Sequence, residues 1–557
     1  MSPDITPKFI ILAILDGWGL AAEGPGNAIK IAQTPNINTF WSSYPHCELE
    51  ASGEAVGLPR GEDGNTETGH LNLGAGKVVY QSLKRIDMSI ADGSFFKKEV
   101  LINAINHAKS NNSKLHYIGL IGAGGVHSNI EHLFALIHLA SQHSFKNVFL
   151  HLFTDGRDSP PTSAKTYIHD IKNVIENEKT GIIASIMGRY WAMDRDQRWD
   201  RTEKAYLALT QGNGIYVKNA DEAIEIHYKK GVTDEFIEPS LISGKDGKPI
   251  CLIGDNDSVV FFNFREDRPR QLTKVFILDD FSKANIIFDT EAFHQKYEIV
   301  QKEAPIERKE PFSRGRKLNN LYFVTMTQYS KALVKEGAIP AFPPEVIPTP
   351  LSMVISNAVM RQLKITESEK ERFVTFYFNG LRETPFPLEE RIIIPSPKIP
   401  TYDQKPEMSA FEMTELLLNK LSTSEYKLVV VNYPNADMVG HTGNLGATVK
   451  AVEVVDECIG KIANFVLAYK GLLLITSDHG NAEELININT GMIDTEHSNN
   501  MVPFIAVSNN LLGQSQTLHT GILADIAPTI ISAFNLKPPE RMTGRNLLAD
   551  LKGESIS

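Results

Sequence analysis

Three short apolar runs, each followed closely by an aspartate, constrain the fold of this 557-residue chain more than any other feature. The runs FIILAIL, KLVVVNY and GLLLITS have the length of β-strands, and they precede Asp16, Asp437 and Asp478. Between the last two runs, apolar residues recur at helical spacing across 446–469. Strand, helix and strand form a βαβ unit, which implies a mostly parallel sheet with the aspartates at its carboxyl edge.

The middle of the chain repeats this α/β rhythm, since KLHYIGLIG, NVFLHLFTD and GIIASIMG also have strand length. The chain is too long for one core of ordinary size, so we expect two or more domains. We place a crossing between domains near Val79–Arg85. The charged stretch Glu303–Lys317, with two prolines and a glycine, is interpreted as a linker. Phe342–Pro350 is rich in proline and is expected to be an irregular connection.

The net charge of -11 argues against a nucleic-acid partner, which would require a basic surface. Cys47, Cys251 and Cys458 are far apart and form neither a disulfide framework nor a metal motif, which favours a reducing compartment. The first apolar run is too short for a signal or membrane helix. We therefore expect a soluble, cytoplasmic protein that does not bind a membrane.

Carboxylate and imidazole side chains in separate turns give the strongest chemical signal. They are Asp16, Asp437, His441, Asp478, His479 and His497. This mixture suits Mn²⁺, Zn²⁺ or Co²⁺, whereas a pure Mg²⁺ or Ca²⁺ site would use mainly oxygen ligands. Three aspartates and three histidines exceed the needs of one tetrahedral ion and suit two ions, which together clamp both oxygens of an in-line phosphoryl displacement.

Strings along nearly the whole chain resemble the motif series of the cofactor-independent phosphoglycerate mutases, members of the alkaline phosphatase superfamily. In the order of that family the chain carries LDGWG, GNTETGHLNLGAGK, NADMVGHTG, ITSDHGNAE and EHSNNMVPF. Between these it carries GGVHSN, FTDGRDSPP, GRYWAMDRDQRWDR, FFNFREDRPRQ and ESEK. The resemblance implies an α/β fold, with an alkaline-phosphatase-like, mostly parallel sheet flanked by helices and a second, inserted α/β domain. We assign residues 1–82 and 318–557 to a discontinuous metal-binding domain, and 83–317 to an inserted phosphotransferase or substrate domain.

The resemblance also implies which residues bind each ion. One ion would be held by Asp437, His441 and His497. The other would be held by Asp16, Asp478, His479 and the hydroxyl of the nucleophile. Mn²⁺ is the expected ion, with Zn²⁺, Co²⁺ or Mg²⁺ as alternatives, and no bisphosphoglycerate cofactor is expected.

The nucleophile marks a departure from the family pattern. The family has a serine between asparagine and glutamate, whereas this sequence reads Asn65-Thr66-Glu67. Metal coordination activates a hydroxyl, and threonine keeps the attacking oxygen while its methyl group restricts χ1. We expect Thr66 to be both the nucleophile and a metal ligand; the alternative is an inert turn residue in a degenerate enzyme.

A net acidic protein that binds phosphoglycerate must concentrate positive charge locally, and arginine binds carboxylate and phosphate oxygens in a bidentate manner. By resemblance, the substrate-binding residues are His127, Arg157, Asp158, Arg189, Arg195, Arg265, Arg268 and Lys370. Asp158 would also act as the general acid and base on the glycerate oxygens. An aspartate beside an arginine tends to stay ionised, so this role depends on its surroundings.

The resemblance implies interconversion of 3-phosphoglycerate and 2-phosphoglycerate, a step of glycolysis and gluconeogenesis, through a phosphothreonine enzyme. The expected partner is this small molecule, and the expected state is a monomer. The alternatives are a related phosphomutase acting on pentose phosphates, a metal-dependent phosphomonoesterase, and a catalytically silent protein that binds a metabolite or partner. The segment 272–317 is longer than the usual crossing of the family, and the sequence assigns no function to it.

Overall fold

The chain forms two compact units, one inserted into the other. The computed structural model describes residues 7–285, 310–487, 490–515 and 517–552. The first unit comprises Met1–Gln81 and Glu345–Ser557, and the second comprises Ser82–Pro344. The first crossing therefore falls within the predicted Val79–Arg85.

The strands are short and are distributed over both units. They are β1 Ile10–Leu15, β2 His46–Glu50, β3 Leu115–Ile121, β4 Val148–Thr154, β5 Ile182–Gly188, β6 Ile215–Val217, β7 Ser240–Ile242, β8 Ser258–Phe261, β9 Tyr322–Thr327, β10 Ile339–Phe342, β11 Gln362–Glu367, β12 Glu389–Ile394, β13 Leu428–Tyr433, β14 Leu472–Thr476, β15 Val502–Val507 and β16 Gly521–Ile522.

Helices alternate with these strands along the chain. They are α1 Ala28–Ile31, α2 Pro35–Ser43, α3 Thr66–Ala75, α4 Ser82–Ala91, α5 Glu99–Ser110, α6 Ile130–Gln142, α7 Ala164–Glu178, α8 Arg189–Ala192, α9 Trp199–Gln211, α10 Ala220–Lys229, α11 Pro269–Ile277, α12 Lys331–Lys335, α13 Leu351–Asn357, α14 Ala410–Thr423, α15 Asn435–Gly440, α16 Leu445–Tyr469 and α17 Ile526–Ala533. Within the described residues, no helix combines the length and the apolar character that a membrane crossing requires.

The first unit contains an eight-stranded sheet in the order β12-β11-β13-β1-β14-β15-β2-β16. At its centre β1 lies parallel to β13 and β14, with Ile10 opposite both Leu428 and Leu472. Every residue of these three strands is buried. Because parallel strands covered on both faces consist of continuous apolar residues, the three runs predicted them correctly.

The predicted helix at 446–469 is α16, which connects β13 to β14. The apolar residues that recur along it all face the core. They are Val452, Val455, Ile459, Ile462 and Val466, each of them buried. This confirms the predicted βαβ unit and brings the carboxyl ends of β1, β13 and β14 to one edge of the sheet.

The second unit contains its own eight-stranded sheet, in the order β10-β9-β8-β3-β4-β5-β7-β6. All of its pairings are parallel except that between β5 and β7. The three strands predicted in the middle of the chain are β3, β4 and β5. The predicted fold class, α/β with mostly parallel sheets flanked by helices, is therefore confirmed.

The return to the first unit lies later than the predicted boundary between 317 and 318. Strand β9 pairs with β8, and β10 pairs with β9, so both belong to the sheet of the second unit. The return follows Pro344 instead, where residues 343–350 have neither helix nor strand. The boundary was misplaced because the charged, proline-containing stretch before β9 resembles a linker in composition more than residues 343–350 do.

The predicted linker Glu303–Lys317 is wrong for its described part, 310–317. Arg314 is buried, and its Nη1 donates to the carbonyl oxygens of Val275 and Leu278, both at 2.7 Å. Backbone carbonyls thus satisfy a charge that the sequence alone suggested was solvated. The remaining residues of the predicted linker, 303–309, lie outside the described part of the chain.

The corrected boundary predicts which fragment folds. Residues 82–344 should fold alone, whereas 82–317 should be less stable because it lacks β9 and β10. Phe323, Val324 and Met326 of β9 are buried, and each such side chain contributes about 1.5–3 kcal/mol of unfolding free energy. Urea unfolding followed by circular dichroism compares the two fragments. Equal midpoints would contradict the assignment of β9 and β10 to this unit.

Candidate active site

Two turns at the carboxyl edge of the first sheet meet around Asp16 and Asp437. Asp16 directly follows β1, and the backbone N–H of Asp437 donates to its carbonyl oxygen at 3.1 Å. Gly17 has a φ of +74°, and a Cβ at this position would lie 2.8 Å from Asp437 Cα. The turn therefore requires glycine, because any side chain would push the two aspartates apart.

Asp437, His441 and His497 form the first ligand cluster. Asp437 Oδ1 lies 3.2 Å from His441 Nε2 and 3.3 Å from His497 Nε2, and the two Nε2 atoms are 3.1 Å apart. His441 Nδ1 donates to Thr495 O at 2.7 Å, and His497 Nδ1 donates to Gly64 O at 2.9 Å. Because a carbonyl only accepts, both rings carry their proton on Nδ1. Nε2 of each ring is therefore the atom directed at Asp437 Oδ1, and a metal ion between these three atoms would replace any proton on Nε2.

Asp16, Thr66, Asp478 and His479 form the second ligand cluster. His479 Nε2 lies 2.9 Å from Thr66 Oγ1, 3.5 Å from Asp16 Oδ1 and 3.6 Å from Asp478 Oδ2. On the other side of the ring, His479 Nδ1 faces Gly480 O at 3.2 Å. Nδ1 therefore donates to Gly480 O, and Nε2 is the ring nitrogen directed at the three oxygen-bearing side chains. Burial opposes the charged ring, but Asp478 and Asp16 raise the pKa of His479 to about 10.

The chemistry of these residues fits metal binding. Oδ1 of the fully buried Asp478 lacks a hydrogen bond from any described residue, and Oδ2 lies 3.1 Å from His70 Nδ1 and 3.6 Å from His479 Nε2, so this carboxylate favours a cation beside it. Carboxylate and imidazole atoms come within 4.8 Å of one another in three sets, of which the first and second share Asp437 and the second and third share Asp16. These sets are Asp437, His441 and His497; Asp16, Asp437 and His479; and Asp16, His70 and Asp478. This donor mixture suits borderline divalent ions, and the two clusters fit two of them.

Lys370 lies with these clusters rather than with the predicted arginines. Its Nζ is 2.8 Å from Asp16 Oδ1, 2.7 Å from Asp437 Oδ2 and 3.0 Å from Thr66 Oγ1. Burial opposes the charged form, but Asp16 and Asp437 raise the pKa of Lys370 far above its ordinary value. Asp437 is buried too, yet Lys370 holds its pKa well below the usual range. An ammonium group therefore faces the predicted nucleophile.

Local sequence explains why Thr66 begins a helix. Asn65 is the N-cap of α3, and its Oδ1 accepts from the backbone N–H of Thr68 at 3.0 Å. Glu67 adds a carboxylate to the first turn, where the helix dipole favours negative charge. Thr66 Oγ1 thus lies at the positive end of a ten-residue helix.

Glu483 connects three ligand-bearing turns and was not predicted from the sequence. Its Oε2 accepts from the backbone N–H groups of Gly19 at 3.0 Å and Asn481 at 2.9 Å. Its Oε1 accepts from Ser498 Oγ and from Asn500 Nδ2 at 3.0 Å. The turns that follow Asp16, His479 and His497 are therefore fixed by one buried carboxylate. Its position in the SDHGNAE string was the available signal.

His70 is a second residue that sequence reasoning missed. It is buried one helical turn after Thr66 in α3, with its Nδ1 3.1 Å from Asp478 Oδ2. The spacing of four residues from Thr66 was the available signal, because such residues share a helix face.

In the second unit, Asp158 lies beside two of the predicted substrate residues. Arg189 is buried, and its Nη1 donates to Asp155 Oδ1 at 2.6 Å and to the Asp158 carboxylate. His127 Nε2 lies 3.8 Å from Asp158 Oδ2, and its Nδ1 lies 3.5 Å from Asp267 Oδ1.

Asp267, which was not predicted, lies beside two more of the predicted substrate arginines. Arg195 Nη1 lies 2.8 Å and Arg265 Nε 3.5 Å from its carboxylate. Arg268 Nη1 donates to the carbonyl oxygen of Met193 at 3.1 Å. The sequence signal for Asp267 was its place between the predicted Arg265 and Arg268 in the string FREDR. Arg157 is half-exposed, and its guanidinium lies 3.7 Å from Glu235.

Positive charge is in excess in this cluster. Burial and repulsion from Arg189, Arg195 and Arg157 lower the pKa of Arg268. Burial and the Arg189 charge lower the pKa of His127 to about 4, so this imidazole is neutral at physiological pH. Burial alone would raise the pKa of Asp158, but its hydrogen bond from Arg189 lowers it. The excess of guanidinium groups suits this cluster to an anionic ligand. The ionised Asp158 could exchange a proton with that ligand.

The chain resembles known proteins over nearly its full length. Residues 86–331 match a family model described as the BPG-independent PGAM N-terminus. The 2,3-bisphosphoglycerate-independent phosphoglycerate mutase of Chloroflexus aurantiacus is 46% identical over 544 residues, which is 97% of this chain and 99% of that protein. Its counterpart from Moorella thermoacetica is 46% identical over 539 residues, with coverage of 97% and 98%.

A solved structure agrees with these relatives. The phosphoglycerate mutase of Leishmania mexicana, crystallised at low cobalt concentration, superposes with a TM-score of 0.57 at 27% identity. The superposition covers 98% of this chain and 99% of that one. The chain therefore belongs to the family of 2,3-bisphosphoglycerate-independent phosphoglycerate mutases.

Proposed function

We propose that this protein interconverts 3-phosphoglycerate and 2-phosphoglycerate through a phosphorylated Thr66, with two divalent cations and without bisphosphoglycerate. The position of Thr66 Oγ1 carries the proposal. It lies 2.9 Å from His479 Nε2 and 3.0 Å from Lys370 Nζ. The same Nζ contacts Asp16 and Asp437, one from each ligand cluster. A hydroxyl in these surroundings is placed to lose its proton and attack phosphorus.

Groups of the chain itself would stabilise negative charge on the Thr66 oxygen. The Lys370 ammonium faces that oxygen, and the residue begins α3, whose N-terminal N–H groups favour a bound phosphate. The methyl group of threonine leaves the attacking oxygen unchanged. We therefore propose that Thr66 performs the role that serine has in the family.

We propose that Asp437, His441 and His497 hold one cation, and that Asp16, Thr66, Asp478 and His479 hold the other. When bound, such cations lower the pKa of the attacking hydroxyl and neutralise the transferring phosphoryl group. Mixed carboxylate and imidazole ligands suit Mn²⁺, Zn²⁺ or Co²⁺. Of these we propose Mn²⁺, from the resemblance to the family, with Zn²⁺, Co²⁺ or Mg²⁺ as alternatives.

We propose that His127, Arg157, Arg189, Arg195, Arg265 and Arg268 bind the carboxylate and phosphate oxygens of the substrate, while Lys370 faces the nucleophile. When the phosphoryl group passes to Thr66, the glycerate oxygen that it leaves must gain a proton, and the other glycerate hydroxyl must lose one before it attacks phospho-Thr66. The ionised Asp158 accepts the proton of that second hydroxyl and passes it to the oxygen left behind. Its hydrogen bond from Arg189 keeps the carboxylate oriented for both steps.

We further propose a cytoplasmic monomer that works in glycolysis and gluconeogenesis. The thiols of Cys47, Cys251 and Cys458 are buried, and none of them is in a disulfide bond within the described residues, as is usual in a reducing compartment. The reaction needs only a small-molecule partner. The arginine cluster favours a substrate that carries both a carboxylate and a phosphate, rather than a pentose phosphate.

Variants at Thr66 test the nucleophile. Thr66→Ala should reduce kcat to the background rate, because no other described hydroxyl lies within hydrogen-bond distance of His479 Nε2. KM should stay nearly constant, since the arginine cluster is unchanged. Thr66→Ser keeps the oxygen and should retain activity within about tenfold of the natural chain. A Thr66→Ala variant with near-natural kcat would refute the covalent route.

Two arginines three positions apart test the anion site. Arg195 and Arg198 are about equally exposed, at 49% and 50%, and each pairs with an aspartate. Of the two, only Arg195 donates a hydrogen bond to Asp267, which also lies beside the predicted substrate residues His127 and Arg265. Arg195→Ala should lower kcat/KM by about tenfold or more, the value of a charged hydrogen bond, whereas Arg198→Ala should change it by less than about twofold. Equal effects in steady-state assays would show that Arg195 has no special role.

A further inference from the structure

His70 and Asn432 form a buried connection behind the second ligand cluster, and nothing in the proposed mechanism uses it. Both side chains are fully buried. Asn432 Nδ2 lies 2.8 Å from Asp16 Oδ2 and 3.2 Å from His70 Nε2. The connection thus begins at one proposed metal ligand, directly after β1, and reaches the helix that presents the nucleophile.

The Asn432 amide has one possible orientation. A carboxylate oxygen only accepts hydrogen bonds, so the NH₂ group of Asn432 must face Asp16. The opposite atom, Asn432 Oδ1, accepts from Thr366 Oγ1 at 3.3 Å. The second hydrogen of the NH₂ group is then directed at His70 Nε2.

This orientation fixes the tautomer of His70. Because an amide nitrogen only donates, His70 Nε2 must present its lone pair, and the ring proton lies on Nδ1. His70 Nδ1 donates to Thr66 O at 3.1 Å and lies equally far, 3.1 Å, from Asp478 Oδ2. One ring therefore contacts the backbone of the nucleophile and a carboxylate of its ligand cluster.

The backbone of α3 is also in direct contact with the Asp478 turn. A Cβ at Gly69 would lie 2.5 Å from the Asp478 carbonyl oxygen. The helix can approach this closely only because that residue is glycine. His70, the next residue, thus holds a helix that already lies against the metal-ligand turn.

His70 Nδ1 is close enough to Asp16 and Asp478 oxygens to be considered a ligand itself. The tautomer argues otherwise, since Nε2 is used by Asn432 and Nδ1 carries the proton. We propose that His70 is a positioning residue: held by Asn432, it fixes the Thr66 turn and the Asp478 carboxylate relative to Asp16 without binding a metal ion. The inference rests on the two-ion assignment proposed above.

Metal titration of the full-length protein tests this role. The chelated protein is titrated with Mn²⁺ by calorimetry, and the natural chain should take up two ions. His70→Leu should weaken one site by about 10- to 100-fold, the usual effect of losing a group that orients a ligand, and leave the other within about threefold. Adding His441→Ala should then remove the remaining tight site, which identifies the weakened site as the Asp16–Asp478 site.

His70→Asn separates positioning from ligation. An asparagine amide can donate from the place of Nδ1 but offers no lone pair there. It should keep both sites within about threefold of the natural affinity, because it preserves the donor that orients the carboxylate. An affinity loss as large as that of His70→Leu would overturn the proposal. So would a folded His70→Leu protein with both sites at natural affinity.

Two further variants complete the test. His46→Leu is the matched control, since His46 is a buried histidine of the same unit whose Nδ1 faces only Tyr44 O, at 2.9 Å. It should leave both sites unchanged. If His70→Leu does not fold, Asn432→Ser removes the amide that sets the tautomer and should weaken the same single site; natural affinity at both sites would overturn the proposal. Uptake of fewer than two ions by the natural chain would instead refute the two-ion assignment.

Discussion

Three buried carboxylates at one edge of a parallel sheet set the main physical constraint on this protein. Asp16, Asp437 and Asp478 are at most 1% exposed and lie in adjacent turns. Two like charges about 4 Å apart repel by about 4 kcal/mol at the effective dielectric of a protein, and burial adds a desolvation cost. Cations beside them offset this cost, which accounts for the buried ammonium of Lys370 and for histidines whose ring nitrogens could hold metal ions.

The sequence predicted the centre of each sheet because a strand covered on both faces is a continuous apolar run. β1, β13 and β14 were recognisable for that reason, and so was α16 from its helical periodicity. The second boundary was not predictable in this way. Burial of Arg314 is achieved by distant backbone carbonyls, and the pairing of β9 with β8 depends on residues far away in sequence.

The candidate site was predictable where a residue's chemistry is unusual for its position. Adjacent Asp478 and His479 after a buried strand stand out in the sequence, whereas His70, Glu483 and Asp267 resemble ordinary helix or loop residues. Their roles follow from contacts across long stretches of chain, such as that of Asn432 with both Asp16 and His70. Such supporting groups are specified by the fold, because only the assembled strand ends bring their partners within reach.

In the proposed mechanism, phosphate passes through Thr66 and returns to glycerate rather than to water. Phosphorus NMR tests this most directly. Purified protein with Mn²⁺ and 3-phosphoglycerate, and with no bisphosphoglycerate added, is followed over time. We expect the 2-phosphoglycerate signal to grow to a constant ratio with that of 3-phosphoglycerate, while inorganic phosphate stays at its starting level. Release of inorganic phosphate without 2-phosphoglycerate, or an unchanged spectrum from metal-loaded protein, would contradict this mechanism.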